Sequence, residues 1–193
     1  MDDRIARHAE AMALLDELVD HVSEDDLDRP TPCAGWTVAE LLAHEVGQHL
    51  GFAVAVRDGD APESAYDPVP FTVERWRHSV EELLHAFADA DPGRPVRERE
   101  LGDTPLPLRV VVDAQLLDVL AHTWDLAKGL GHDFTPPEHL VVDFRRMAAA
   151  IPDRAYGEGR AFRERLDGDG SDWHRALRLL GRDPSWPAGS VGR

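Results

Sequence analysis

Apolar residues recur at helical spacing along most of this chain, and no alternating run is long enough to define a sheet. Ile5, Met12, Leu15, Leu18, Val19 and Val22 form the stripe of a first helix over about 3–22. The segment DLDRPTPCAG follows, broken by Pro30, Pro32 and Gly35. The second helix has the clearest start in the sequence. Thr37 is placed to cap it, Glu40 three residues on completes a capping box, and Trp36 precedes the cap as a hydrophobic staple for Leu41. This helix runs to about 57 and is followed by the loop DGDAPESAYDPVP.

A third helix is predicted over about 72–90, with Trp76, Val80, Leu83, Leu84 and Phe87 inward and DPGRP ending it. Residues 96–108 hold Gly102, Pro105 and Pro107 and read as a long loop. The fourth helix spans about 109–130 and stops at Gly129 and Gly131. The fifth is predicted to begin with Thr135 as cap, Pro136 in the first turn and Glu138 as the capping partner. It carries Leu140, Val141, Phe144, Met147 and Ile151. Residues 152–170 are polar and read as loop, and Ser171 caps a last short helix, DWHRALRLLG, closed by Gly181. Four long helices with one or two short ones predict an all-α, antiparallel four-helix bundle. The expected organisation is one domain over 1–193, with a core bundle of about 3–151 and a C-terminal extension of 152–193.

Composition narrows the function classes. A chain of 193 residues buries roughly 70% of its unfolded surface, enough for a core without covalent staples. No run approaches the ~18 apolar residues of a membrane span, and the acidic N-terminus MDDRIARHAE lacks the apolar region of a signal peptide. The single cysteine, Cys33, excludes an internal disulfide. These features predict a cytoplasmic protein. The formal net charge of −16 opposes binding to nucleic acid phosphates and anionic membranes, so neither is an expected partner.

The candidate chemistry lies on the fourth helix. That helix is apolar almost all round, with Val111, Val112, Leu116, Leu117, Val119, Leu120, Trp124 and Leu126, as expected of a buried helix. One narrow strip carries Asp118, His122 and Asp125 beside the small Ala114 and Ala121. An ionised carboxylate in such surroundings needs a partner or a cation. Asp118 and His122 are spaced i, i+4, so their side chains leave the helix within roughly 40° of each other and reach one ion. A carboxylate oxygen with an imidazole nitrogen suits zinc, nickel or ferrous iron. The alternative is a structural Asp–His hydrogen bond in the core. A metal needs a third ligand from a facing helix, and the second helix offers His44, Glu45 and His49. Periodicity places Glu45 and His49 near the middle of the stripe formed by Val38, Leu41, Leu42, Val46 and Phe52, with His44 at its edge near Gln48. Each of these is also readable as a satisfied polar group at a helix seam. Cys33 lies between Pro32 and Ala34 with no base adjacent in sequence, and reads as a packed or surface thiol.

Three segments carry a resemblance. TPCAGWTVAELLAHEVGQHL, DVLAHTWDLAKGLG and the tail LLGRDPSW resemble the signatures of the mycothiol-dependent maleylpyruvate isomerase metal-binding family, within the DinB/YfiT-like superfamily. The resemblance implies a DinB-like four-helix bundle holding a divalent metal, often zinc. It assigns the metal ligands to His44, Asp118 and His122, with aspartate where many members carry glutamate. Glu45, Gln48, His49 and Asp125 then become pocket-lining or ligand-supporting residues. The isomerase proper also has a C-terminal α/β domain supplying a basic residue, and this chain is too short for that domain after its fifth helix. A single-domain member is therefore expected.

Three protein ligands leave one position of a zinc ion open, as in catalytic rather than structural sites. The resemblance implies that a low-molecular-weight thiol such as mycothiol binds there and attacks a small electrophilic substrate, in S-transfer or isomerisation. Three other readings stay open on the sequence: a metal-binding bundle without catalysis, a plain bundle with a structural polar strip, and hydrolysis by metal-bound water. A homodimer through a bundle face is compatible with the family, and the sequence identifies no such face.

Overall fold

The computed structural model describes residues 1–33, 35–102, 104–158 and 160–187. The part of the C-terminal extension beyond 187 therefore lies outside the described residues. The described elements are α1 (Asp2–Val19), α2 (Val38–Asp58), α3 (Val73–Ala88), β1 (Pro95–Val96), β2 (Leu106–Pro107), α4 (Leu108–Leu130), α5 (Glu138–Ala150) and α6 (Asp172–Leu179), with short 3-10 turns between them. The architecture is the all-α bundle that the periodicity predicts. Helix α1 packs along α4 and α2 along α3, while α4 also meets α2 and α5, and α6 packs on α5. Met12, Leu15, Leu42, Leu83, Phe87, Leu116, Leu120 and Phe144 fill the interior. Truncating one such leucine to alanine costs about 2–5 kcal/mol. None of the described helices is long and apolar enough to cross a membrane.

The start of α2 follows from its sequence. The Thr37 hydroxyl accepts from the Glu40 amide at 3.3 Å, and the Glu40 carboxylate accepts from the Thr37 amide at 2.8 Å. Two otherwise unpaired helix-end donors are thereby satisfied, a stabilisation of about 1 kcal/mol.

Three sequence expectations are corrected. Helix α5 begins at Glu138 after Pro137, and no side chain caps it, so the Thr135–Glu138 box does not form. The reason is Pro137, whose ring forces the preceding Pro136 out of helical conformation and delays the start. The segment read as a loop over 96–108 contains one strand of a small antiparallel pair, Val96 facing Leu106 and Pro95 facing Pro107. Strands of two residues are too short to produce an alternating pattern. Helix α1 ends at Val19 rather than near Val22, and His21 and Val22 continue it only as tighter i to i+3 turns.

Two features position α2. Its outer side is pressed by the turn Glu63–Tyr66. A Cβ on Gly47 would lie 2.4 Å from the Asp67 carbonyl oxygen, and one on Gly51 would lie 2.3 Å from the Tyr66 ring. Only glycine allows this approach. At the other end of the chain, α6 buries Trp173, whose indole N–H donates to the Phe134 carbonyl at 3.0 Å. Gly181, at φ +71°, then turns the chain so that Arg182 points back into the bundle.

Candidate metal centre

Helices α2 and α4 bring His44, Glu45, Asp118 and His122 together. One donor atom from each lies within 4.8 Å of the others. His122 Nε2 is 3.4 Å from Asp118 Oδ1 and 3.9 Å from Glu45 Oε1. The His44 and His122 rings meet edge-on with centroids 5.3 Å apart. Donors bound at ~2.0–2.1 Å to a tetrahedral ion stand about 3.3 Å apart, so the Asp118–His122 pair is already at ligand spacing. Asp118 is 32% exposed and forms the open side of the cluster, whereas Glu45 and His122 are buried.

The second nitrogen of His122 is fixed by Asp125. Nδ1 lies 3.0 Å from Asp125 Oδ2, which turns Nε2 toward the other donors. A carboxylate behind an imidazole sets the ring's tautomer and raises its basicity. Asp125 is itself held by Arg182, which donates to its carboxylate from Nε at 3.0–3.1 Å and from Nη2 at 2.6 Å. This buried ion pair ties the C-terminal segment to α4.

The electrostatics ask for a cation. Burial opposes the charge on His122, yet Asp118, Glu45 and Asp125 together raise its pKa well above the usual 6.5. Burial also opposes ionisation of Asp118, but the adjacent His122, with His44 and Arg182 beyond it, lowers its pKa to about 2. Arg182 balances Asp125. In the metal-free protein His122 offsets one of Glu45 and Asp118, and among the described residues neither Glu45 oxygen nor Asp118 Oδ2 has a hydrogen-bond partner. A buried carboxylate with no hydrogen-bond partner, as Glu45 is, is strongly unfavourable, and a divalent ion bound by two neutral imidazoles and these two carboxylates would be charge-neutral. The donor set fits such a metal.

His122 also belongs to a second group, with Cys33 and Asp125. Burial raises the Cys33 pKa, favouring the neutral thiol, and Asp125 already has its cation in Arg182. The four-residue group is the better metal site. The sequence offered no base beside Cys33, but the fold supplies His122 as a spatial neighbour.

The other expected residues divide. His49 and Gln48 are buried on α2 beyond the cluster. His49 Nε2 lies 3.6 Å from Glu45 Oε2, while its Nδ1 is 3.1 Å from the Ser79 hydroxyl of α3. Two contributors were missed. Trp36 was read only as a staple, but its ring lies 4.7 Å from His44 and stacks at 6.2 Å on His122. Arg182 was not singled out, although it stands inside the LLGRDPSW segment. A cleft of about 610 Å³ adjoins this region, lined in part by Pro30, Gly35, Arg163, Arg182 and Trp186.

Comparison with known proteins gives a consistent picture. Residues 8–127 match the family described as the mycothiol maleylpyruvate isomerase N-terminal domain. Two uncharacterised proteins of Mycobacterium tuberculosis, Rv0738 of strain H37Rv and MT0763 of strain CDC 1551, are each 27% identical over 163 residues. The alignment covers 83% of this chain and 86% of theirs. The fold is similar to the crystal structure of the mycothiol-dependent maleylpyruvate isomerase, with TM-score 0.66 and 15% identity, over 100% of this chain and 93% of that one. A histidine-to-alanine mutant of that enzyme gives TM-score 0.67 at 14% identity and the same coverage.

Proposed function

This chain belongs to the mycothiol maleylpyruvate isomerase N-terminal domain family, and from that premise we propose that it is a divalent-metal-dependent enzyme using a small thiol. The reaction class is S-transfer to, or isomerisation of, a small electrophilic substrate. The observation that carries this reading is the convergence of His44, Asp118 and His122 from two helices around unpartnered carboxylate oxygens.

His44, Asp118 and His122 are the residues proposed to hold the metal, with zinc the best match to a nitrogen and carboxylate donor set. When bound, such an ion stabilises a thiolate at its free position and so supplies a nucleophile near neutral pH. The remaining work falls to the chain. Asp125 keeps Nδ1 of His122 engaged so that Nε2 faces the ion, and Arg182 holds Asp125 in place. Trp36 limits rotation of both imidazoles by packing on them. The open side at Asp118 leaves room for a sulfur donor. The cleft edged by Arg182 and Arg163, with Glu164 and Asp183 also in its wall, falls in the size range of small-molecule sites.

The test is a thiol-conjugation assay of the zinc-loaded protein with mycothiol and a panel of electrophiles, alongside metal analysis. The expected result is turnover in wild type, with metal and turnover both lost in His44→Ala, Asp118→Ala and His122→Ala. Wild-type metal retention by all three variants overturns the site. Metal retention with no turnover on any electrophile leaves a metal-binding bundle without this chemistry.

A further inference from the structure

We propose that Glu45 is a fourth protein ligand of this metal centre, not a supporting residue of the pocket. The inference rests on the metal site proposed above and assigns a donor beyond its three ligands.

Sequence spacing argues against it. Residues i and i+1 of a helix point about 100° apart and do not ordinarily share a partner. Here the difference in direction is absorbed by side-chain length. His44 enters the cluster from the edge of α2, beside Trp36, while Glu45 enters from the buried middle of the helix face. Both donor atoms end within 4.8 Å of those of Asp118 and His122.

Glu45 is the more enclosed of the two carboxylates in the four-donor cluster. Its residue is 0% exposed, and neither oxygen has a hydrogen-bond partner. The nearest basic atoms are His49 Nε2 at 3.6 Å and His122 Nε2 at 3.9 Å. His49 Nε2 makes no hydrogen bond to Glu45 at this distance. The Ser79 hydroxyl donates its one proton to the Trp76 carbonyl at 2.9 Å, so its oxygen accepts from His49 Nδ1–H at 3.1 Å. In neutral His49 the proton is then on Nδ1, and the bare Nε2 lone pair faces the carboxylate. His122 is nearer to Asp118 and Asp125 than to Glu45. A divalent cation placed among the four donors pairs Glu45, completes Asp118 and brings the charge of the cluster to zero with both imidazoles neutral. A consequence is that a thiol entering by the open Asp118 side would be a fifth donor.

The deciding experiment is a crystal structure of the zinc-soaked wild-type protein, with zinc affinity measured by chelator competition for wild type and Glu45→Gln. The expected result is a Glu45 oxygen within ~2.2 Å of the ion and a loss of ~100-fold or more in affinity for Glu45→Gln. Residues that only support a ligand cost about 10–100-fold. The amide replacement preserves shape and removes an unbalanced charge, so the metal-free variant should unfold no earlier than metal-free wild type. A Glu45 oxygen farther than ~3 Å from an ion held by His44, Asp118 and His122, or a smaller affinity loss, overturns the assignment and leaves the three-ligand site intact. Failure of the wild-type protein to take up zinc, nickel or ferrous iron overturns both.

Discussion

Two buried histidines of this bundle have opposite fates. His8 of α1 meets Gln115 of α4 through a hydrogen bond between Nε2 and the amide oxygen. The Phe87 ring lies edge-on to it at 4.9 Å. Burial lowers its pKa to about 4, further depressed by His49 and only partly offset by Gln115. His122 is just as enclosed, yet its pKa is raised, because three carboxylates surround it. Burial alone does not make a reactive site. A neutral pair in the core is a structural contact, whereas three carboxylates around one imidazole favour its charged form.

The comparison can be broken most severely at the metal. His122→Ala is expected to abolish stoichiometric metal binding, a loss of several kcal/mol, while His8→Gln should retain it. Metal content measured on the purified variants decides this. Equal loss in both would mean that the two histidines differ less than their surroundings imply.

The next effect concerns acid stability. The folded pKa of His8 is depressed to about 4 against 6.5, so the unfolded chain takes up its proton first. The stability due to neutral His8 is fully present above pH 6.5, is lost as pH falls toward 4, and changes no further below that. The loss is on the order of 3 kcal/mol. Urea unfolding at a series of pH values should show this slope in wild type and a flatter one in His8→Gln. His122 has the reverse sign. In the metal-free protein its contribution is full below pH 6.5 and disappears as pH rises through its raised folded value. Metal must displace that proton, so metal affinity should climb across the same rise in pH, as calorimetric titrations would record.

A smaller effect sharpens the role of the carboxylate behind the imidazole. Asp125→Asn keeps the shape but weakens both the bond to His122 and the pairing with Arg182. It is expected to lower metal affinity by about 10–100-fold, measurable by chelator competition. The smallest effect lies outside both polar regions. Thr37→Ala removes the cap of α2 and should cost ~1 kcal/mol in unfolding free energy, with metal content unchanged.

Much of this arrangement was legible in the sequence. Periodicity located the long helices because their apolar stripes persist for several turns, and Thr37 and Glu40 marked the start of α2 because capping is local. Asp118 and His122 stood out because acids are scarce on a helix that is apolar almost all round. Periodicity also places Glu45 and His49 in the face of α2 that is buried. It could not show that His44 and Glu45 converge, since that depends on side-chain reach and on α4. Arg182 and Cys33 lie far from α4 in sequence, and only folding of the two loops brings them to Asp125 and His122. The late start of α5 was a matter of competing local signals, in which consecutive prolines prevailed over a polar cap.

The glycines on the back of α2 carry a consequence for redesign. With Gly47 and Gly51 seated against Asp67 and Tyr66, that helix is keyed like a shaft in a slot. It can neither spin to offer His49 in place of His44 nor slide along its axis without driving a side chain into the Asp67 carbonyl or the Tyr66 ring. Retuning the proposed metal centre for one ion over another is therefore better attempted by exchanging donors on α4, where the aspartate sits at an open edge, than by shifting the helix that faces it.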